Sequence, residues 1–301
     1  MLFCILALLS TSNMSAQTTT AYGTQTYVTG ARNSYFGYAI QTSSGSNNTA
    51  MGYRIGNNSS STASNNTSIG YENGLIGTRN AFFGTEVGDQ LTQGSNNVFV
   101  GNCSSCNTLG YADKNVFIGD RTGSLSQGNT EGNVFIGYTV GNQTGIGSTN
   151  NNKLIIDNNS STTPLLYGDF TANKLGINTV NLPNTLNSQS LSNYSLYVEG
   201  GLLTEELRTQ PGWADYVFEA GYELMSLENL EKFIEENGHL PNVPSAEVVQ
   251  KTGIELGDIK RIQQEKIEEL TLYIIDLNEQ LQAIKAQLAA KKAATTSTKN
   301  H

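Results

Sequence analysis

Through most of this chain, apolar and polar positions alternate over short runs set between Asn-, Ser- and Gly-rich stretches. Only the last part changes to helical spacing. The alternating runs are near-copies of one another. Asn97-Val-Phe-Val-Gly101 returns as Asn115-Val-Phe-Ile-Gly119 and again as Asn133-Val-Phe-Ile-Gly137. Weaker copies precede them at Asn33-Ser-Tyr-Phe-Gly37, Asn48-Thr-Ala-Met-Gly52, Asn66-Thr-Ser-Ile-Gly70 and Asn80-Ala-Phe-Phe-Gly84, and a half-step copy sits at Asn107-Thr-Leu-Gly110. Several run on into a second short stretch closed by glycine, such as Tyr53-Arg-Ile-Gly56 and Tyr138-Thr-Val-Gly141. The unit reads as a short strand, a glycine turn, a shorter strand and a polar loop of variable length.

Such a unit cannot bury its apolar face alone, so copies at this period predict a stacked solenoid. Alternation is expected to send the second and fourth motif residues inward and the third outward. The glycine permits a turn that a Cβ would block. The repeated Asn sits where stacked amides can form a ladder along the axis. Seven coils at about 4.8 Å each give a stack of roughly 30–35 Å.

Further strands are predicted at Lys153–Asp157, Pro164–Gly168, Lys174–Asn178 and Tyr194–Gly201, and Trp213–Glu219 alternates like a strand. Ser226 is placed to cap a helix over residues 227–237, with Leu227, Leu230, Phe233 and Ile234 on one face and Gly238 ending it. His239-Leu-Pro-Asn-Val-Pro244 is a rigid link, and Ser245 caps a short helix stopped by Gly253. From 254 to 292 the pattern is helical. Ile267, Leu270, Ile274, Leu277, Leu281, Ile284 and Leu288 step by three and four, a coiled-coil seam of three heptads. Ile at a with Leu at d favours dimers in its first half, and the reverse order in its second favours higher states. Ile259 and Ile262 fall off this register, and Leu272, Tyr273 and Ile275 lie outside it. The alternative is one amphipathic helix folded back on its own domain.

Composition sharpens this picture. Apolar residues are 37% of the 301 and glycine numbers 31, which implies many turns and a thin core. Residues 1–200 carry seven Lys/Arg against nine Asp/Glu, and residues 201–301 carry ten against seventeen. Neither part is basic, so charge gives nucleic-acid binding no support. The run Met1-Leu-Phe-Cys-Ile-Leu-Ala-Leu-Leu9 is too short to span a bilayer and reads as the core of a signal peptide cut after Ala16. No Lys or Arg precedes it, as a start placed too late would explain. Export is expected, with no transmembrane segment.

Chemistry is sparse. Cys4 leaves with the signal. Cys103 and Cys106 form one Cys-x-x-Cys with no second ligand pair for zinc and no thioredoxin-like setting, so a local disulfide is expected, a free pair being the alternative. No histidine occurs in residues 1–200, and no Gly-x-Ser-x-Gly, calcium-binding repeat or ice-binding Thr ladder is evident. The nearest candidates for a hydrolytic carboxylate pair are Asp113, Asp120 and Glu131. His239 reads as a packing or turn residue, and Glu228, Glu231, Glu235 and Glu236 as a solvated helix face. Neither an enzyme nor any cofactor or metal is expected.

The Asn-x-Phe/Ala-Ile-Gly units over about residues 30–150 resemble the head repeats of trimeric autotransporter adhesins of the YadA type. The resemblance implies three chains, each a left-handed parallel β-roll, with a head that binds host matrix or other surfaces. Leu175-Gly-Ile-Asn-Thr179 with Leu196-Tyr-Val-Glu-Gly200 resembles shaft segments of phage-type tail fibres and their secreted bacterial relatives. The stretch from Trp213 through Gly238-His-Leu-Pro-Asn-Val-Pro-Ser-Ala246 to Ile267-Glu-Glu-Leu-Thr-Leu-Tyr273 resembles the C-terminal module of secreted tail-fibre-like proteins common in Bacteroidetes. No strands of a membrane β-barrel anchor follow the helix, and no Ser-Asp pair of a self-cleaving fibre chaperone is found.

The expected fold is mainly β with an α C-terminus. It comprises a signal peptide (1–16), a linker (17–32), a parallel β-roll or solenoid head (33–150), a β-rich neck (151–210), a small α/β connector (211–253), a coiled-coil helix (254–292) and a disordered tail (293–301). The expected function is a secreted or surface-exposed homotrimeric adhesin-like fibre contacting a host or environmental surface, matrix protein or glycan. The alternative is a receptor-binding tail fibre of a phage or phage-derived injection apparatus, which a signal peptide disfavours.

Overall fold

The computed structural model describes residues 19–23, 30–41, 45–56, 63–107, 110–124, 129–142, 151–210 and 212–298, with side chains as far as residue 292. The expected signal peptide and Cys4, part of the half-step copy at 107–110, and residues 299–301 lie outside the described residues. The chain divides into two compact units, Met1–Asn184 with Leu191–Leu202, and Thr185–Ser190 with Leu203–His301.

The first unit is a β-solenoid of about eight turns. Its strands are β1 (Thr20–Tyr22), β2 (Ser34–Tyr38), β3 (Thr49–Tyr53), β4 (Thr67–Tyr71), β5 (Ala81–Thr85), β6 (Gln93–Ser95), β7 (Val98–Asn102), β8 (Tyr111–Asp113), β9 (Val116–Ile118), β10 (Thr130–Glu131) and β11 (Val134–Gly137). β1, β2, β3, β4, β5, β7, β9 and β11 are parallel neighbours in one sheet, each the same position of the next coil. β6, β8 and β10 make a second parallel sheet. The motif glycines pair directly, Gly37 with Gly52, then Gly70, Gly84 and Gly101, so the unequal steps in sequence are absorbed by the loops.

The phase of the alternation is opposite to the expectation. The third motif residue points inward: Tyr35, Ala50, Ser68, Phe82, Phe99, Phe117 and Phe135 are all fully buried. The second and fourth point outward. The reason lies at the first position, where the Asn is itself inward, and a period of two then carries the third residue with it. Asn48 shows why an amide belongs there. Its backbone N and its Nδ2 both donate to Asn33 Oδ1, at 2.9 and 3.2 Å, and Nδ2 also donates to the Ala63 carbonyl at 2.6 Å. Asn66, Asn97 and Asn115 repeat this pattern, and the Asn115 and Asn133 Oδ1 atoms pass it on by accepting from Asn133 N and Lys153 N. The amide ladder read from sequence therefore exists, inside the coil.

Beside the ladder, Phe82, Phe99, Phe117 and Phe135 stack with centroids 4.9 to 5.3 Å apart. The residue three past each motif glycine is buried as well: Ile40, Ile55, Asn73, Val87, Ser104, Thr122 and Val140. The stretches read as second, shorter strands are corners instead. Arg54, Glu72, Glu86, Cys103, Arg121 and Thr139 take left-handed φ between 52° and 55°, and Asn47, Asn65, Asn96 and Lys114 at the strand's other end take 57° to 62°. These corners turn the chain through the left-handed region and end the strand on both sides.

β1 pairs with β2 and so begins the solenoid inside the expected linker. At the other end β12 (Lys153–Asp157) continues the parallel stack on β11. β13 (Leu166–Asp169) and β14 (Lys174–Ile177) then add antiparallel. The predicted neck strands thus extend the same sheet.

In the second unit, Thr185–Leu186 (β15) and Gln189–Ser190 (β16) form a small hairpin. The last strand of the first unit's sheet, β17 (Leu196–Val198), pairs in parallel with β14. The expected strand at 213–219 is a 3-10 helix over Asp215–Phe218, because Ala214 and Val217, three apart, are the residues that bury. Helix α1 (Leu227–Asn237) starts at Ser226, whose side chain accepts from Asn229 N, and ends at left-handed Gly238. Helix α2 (Ala246–Thr252) starts at Ser245 and stops at Gly253. Both follow the caps legible in sequence. Helix α3 runs Leu256–Thr298, so its backbone passes through most of the stretch expected to be a disordered tail. Ala and Lys dominate residues 289–294, and no Gly or Pro intervenes to stop it.

Candidate interaction surface

The corrected phase puts the second, fourth and sixth positions of each coil on the outside. The fourth is apolar in all seven coils: Phe36, Met51, Ile69, Phe83, Val100, Ile118 and Ile136, each exposed or half-buried. The second is Ser34, Thr49, Thr67 and Ala81, then Val98, Val116 and Val134. The sixth is Tyr38, Tyr53 and Tyr71, then Thr85, Asn102, Asp120 and Tyr138. Of these 21 positions Asp120 alone is charged. A continuous uncharged, largely apolar surface of this kind marks an interaction site on a folded chain.

The glycine between the fourth and sixth positions makes that surface possible. At Gly84 φ is +140°, and a Cβ would lie 1.7 Å from the Gly101 carbonyl oxygen of the next coil. Adjacent coils approach there too closely for any side chain. Past the glycine the tyrosines stack. Ring centroids are 5.3 Å apart for Tyr38–Tyr53 and 5.2 Å for Tyr53–Tyr71, with planes within 10° and 6°. The Tyr71 hydroxyl hydrogen-bonds Glu72, which raises its pKa, and Glu72 in turn pairs with Arg54. The recurring Gly-Tyr dipeptides at 37–38, 52–53 and 70–71 carry this signal in the sequence.

The residues singled out from sequence separate in space. Cys103 and Cys106 are disulfide-bonded across a corner, with Cα atoms 4.6 Å apart. Asp113 and Glu131 both pair with the Lys114 ammonium, at 3.3 and 2.6 Å, and these contacts, the Glu131 hydrogen bond first, hold that amine above its usual range. Asp120 lies at the other end of the strand and accepts from Asn102 at 3.1 Å. These carboxylates are therefore engaged in ladder contacts between coils. His239 stands edge-on to Phe233 with ring centroids 5.8 Å apart, and its Nδ1 lies 2.9 Å from the Leu240 carbonyl. The seam residues Ile267, Leu270, Ile274, Leu277, Leu281, Ile284 and Leu288 are 47 to 65% exposed in the single chain.

Two polar clusters escaped the sequence reading. In the first unit the buried Lys174 ammonium donates to the Pro183 carbonyl (2.7 Å), Asn184 Oδ1 (2.9 Å) and Tyr197 Oη (2.7 Å), pinning a loop to the sheet. In the second unit a cleft of about 460 Å³ is lined by Tyr216, Tyr222, Asn242, Arg261 and Glu265. Buried Glu265 accepts from the Tyr216 hydroxyl, Lys266 Nζ at 2.9 Å and Asn242 Nδ2 at 3.2 Å. Burial pushes the Glu265 carboxyl up, but these hydrogen bonds outweigh it and hold the group below its ordinary 4.5. Tyr222 donates to Glu269, and burial, then that bond, push its pKa well up. The cluster fastens the start of α3 to the 3-10 helix and leaves its charges paired. Ile262, off the heptad register, is buried on this same stretch, which explains its spacing.

Among the described residues no helix is long and apolar enough to cross a membrane. Searched against protein-family models, curated proteins and solved structures, the chain matches none.

Proposed function

We propose that this chain is an exported fibrous protein that assembles as a homotrimer and contacts an environmental or host surface through its solenoid. The observation that carries the reading is the pair of uncharged apolar surfaces a single chain leaves open, one along the fourth position of every coil and one along the heptad seam of α3. Burying the half-exposed seam recovers roughly half of 1.5–3 kcal/mol for each of seven side chains, or about 5–10 kcal/mol per chain. Association costs about 4–15 kcal/mol, so the seam alone is marginal. The solenoid surface must contribute as well, and chains joined at the helix present it at high effective concentration. Val98, Val116 and Val134 widen that contact beside Val100, Ile118 and Ile136. The resemblance of the repeats to YadA-type heads agrees with three copies.

The test is the solution mass of the full chain by light scattering on a sizing column. Three times the chain's own mass is expected, with adhesion to coated surfaces as the second readout. A stable monomer overturns the fibre reading.

A further inference from the structure

The tyrosine ladder is left unused by this assembly. It occupies the last strand position before the left-handed corner, outside a contact centred on the second and fourth positions. It also lies in the coils whose second position is Ser34, Thr49 and Thr67, where the surface is polar rather than β-branched. Because the rings stack on one another, Tyr53 has both faces covered and Tyr38 and Tyr71 one each. Tyr38, Tyr53 and Tyr71 are 38, 41 and 45% exposed, and among the described residues the Tyr38 and Tyr53 hydroxyls have no hydrogen-bond partner. Thr85 and Asn102 continue the line, so five successive coils present one uncharged hydrogen-bonding group each.

We infer that the solenoid binds an extended, uncharged β-1,4-linked glycan laid along its axis over Tyr38, Tyr53 and Tyr71, with Thr85 and Asn102 extending the site. The inference rests on the surface-binding reading above and names its ligand. The spacing is the main argument. Strand stacking sets the tyrosine rings 5.2 to 5.3 Å apart, centroid to centroid, and an extended β-1,4-linked pyranose chain advances by about one such interval per sugar. Each sugar then meets one coil, and register is kept along the chain. Charge is the second argument, since the line from 38 to 102 has none and matches a neutral polymer. Each contact is weak, and several in register on several chains give useful avidity.

The experiment is retention of the purified full chain on insoluble cellulose and chitin, with soluble cello-oligosaccharide as competitor. Retention is expected on the neutral polymers, to be lost to the competitor and unaffected by added salt. Tyr53→Phe keeps the stack and removes one hydroxyl, so affinity should fall about threefold to tenfold, as for one hydrogen bond. Tyr53→Ser should fall further. Tyr138→Phe, in the same column with no stacked neighbour, should bind like the parent. No retention, retention only on anionic polymers, or equal binding by Tyr53→Phe and the parent overturns the inference. A trimer that adheres to protein-coated surfaces but ignores both glycans overturns this inference alone. A monomer that adheres to nothing overturns the fibre reading with it.

Discussion

At the scale of single residues, three inward or axial positions hold each coil: the Asn of the ladder, the third residue in the core and the glycine at the point of closest approach. Their failures differ in size. In Gly84→Ala the new Cβ meets a carbonyl oxygen at 1.7 Å with φ at +140°, and no rotamer relieves it. The cost should reach at least about 4 kcal/mol, the exceptional end for one substitution, visible as a lowered Tm or loss of soluble protein. Asn115→Ala strands buried partners instead. Asn97 Oδ1 loses its side-chain donor and keeps the backbone one, the Thr130 carbonyl loses one, and Asn133 N loses its acceptor. About 2–4 kcal/mol is expected from denaturant unfolding, whereas Asn47→Ala, at an exposed corner amide bonded only to Asn65, should cost under about 1 kcal/mol beyond its left-handed backbone preference. Equal losses at 47 and 115 would refute the buried ladder as the main anchor.

At the scale of elements, α3 has two faces with different tasks. One carries buried Ile262 and is fastened to the 3-10 helix through Glu265, and to the segment after it through Glu269, which accepts from Tyr222, and Tyr273, whose hydroxyl donates to the Met225 carbonyl. The other carries the seam. The two are separable by pH. Glu265 has a folded pKa below its ordinary 4.5, so its contribution to stability is present above that value and is lost as the pH falls through the lower folded one. Stability of the second unit should therefore drop on the acid side of pH 4.5, and Glu265→Gln should flatten that limb of a Tm-against-pH curve. An unchanged acid limb in the variant would mean that the carboxylate is not what α3 loses. The helix α1 repeats the lesson from the other side. Its capped span and apolar face, Leu227, Leu230, Phe233 and Ile234, are as the spacing predicts, yet none of its residues is buried in the single chain.

At the scale of the molecule, the proposed assembly needs both open surfaces, and substitution can tell them apart. Leu277→Glu places a charge in the seam and should convert the trimer to monomer at micromolar concentration, with the helix content of the chain retained. Ile118→Asp on the solenoid should weaken assembly without abolishing it. The two changes are coupled through one association step, so the double variant should be monomeric at every concentration tried, by light scattering. A Leu277→Glu protein that stays trimeric would move the assembly wholly onto the solenoid.

How much of this was legible follows from how each feature is made. The stack, its register and the amide ladder depend on residues that repeat at the same place in every coil, so Asn and Gly printed them in the sequence. The helix caps at Ser226, Gly238, Ser245 and Gly253 are local and were equally readable. The direction of the third residue was not. An alternating run has two phases, and only the buried first-position Asn, a tertiary fact, selects between them. The 3-10 helix at 215–218 was hidden because the run from Trp213 to Glu219 alternates like a strand, whereas the pair that buries, Ala214 and Val217, is three apart. The clusters around Lys174 and Glu265 join residues up to 49 apart, and no pattern along the chain announces them. By itself, then, the sequence determined that coils stack, where they turn and where helices begin and end, because those are properties of neighbours along the chain. Only the tertiary structure decided which side of each strand faces out, and hence that tyrosines and aliphatic columns form the surface, because burial is settled by what the other side of the coil must accommodate.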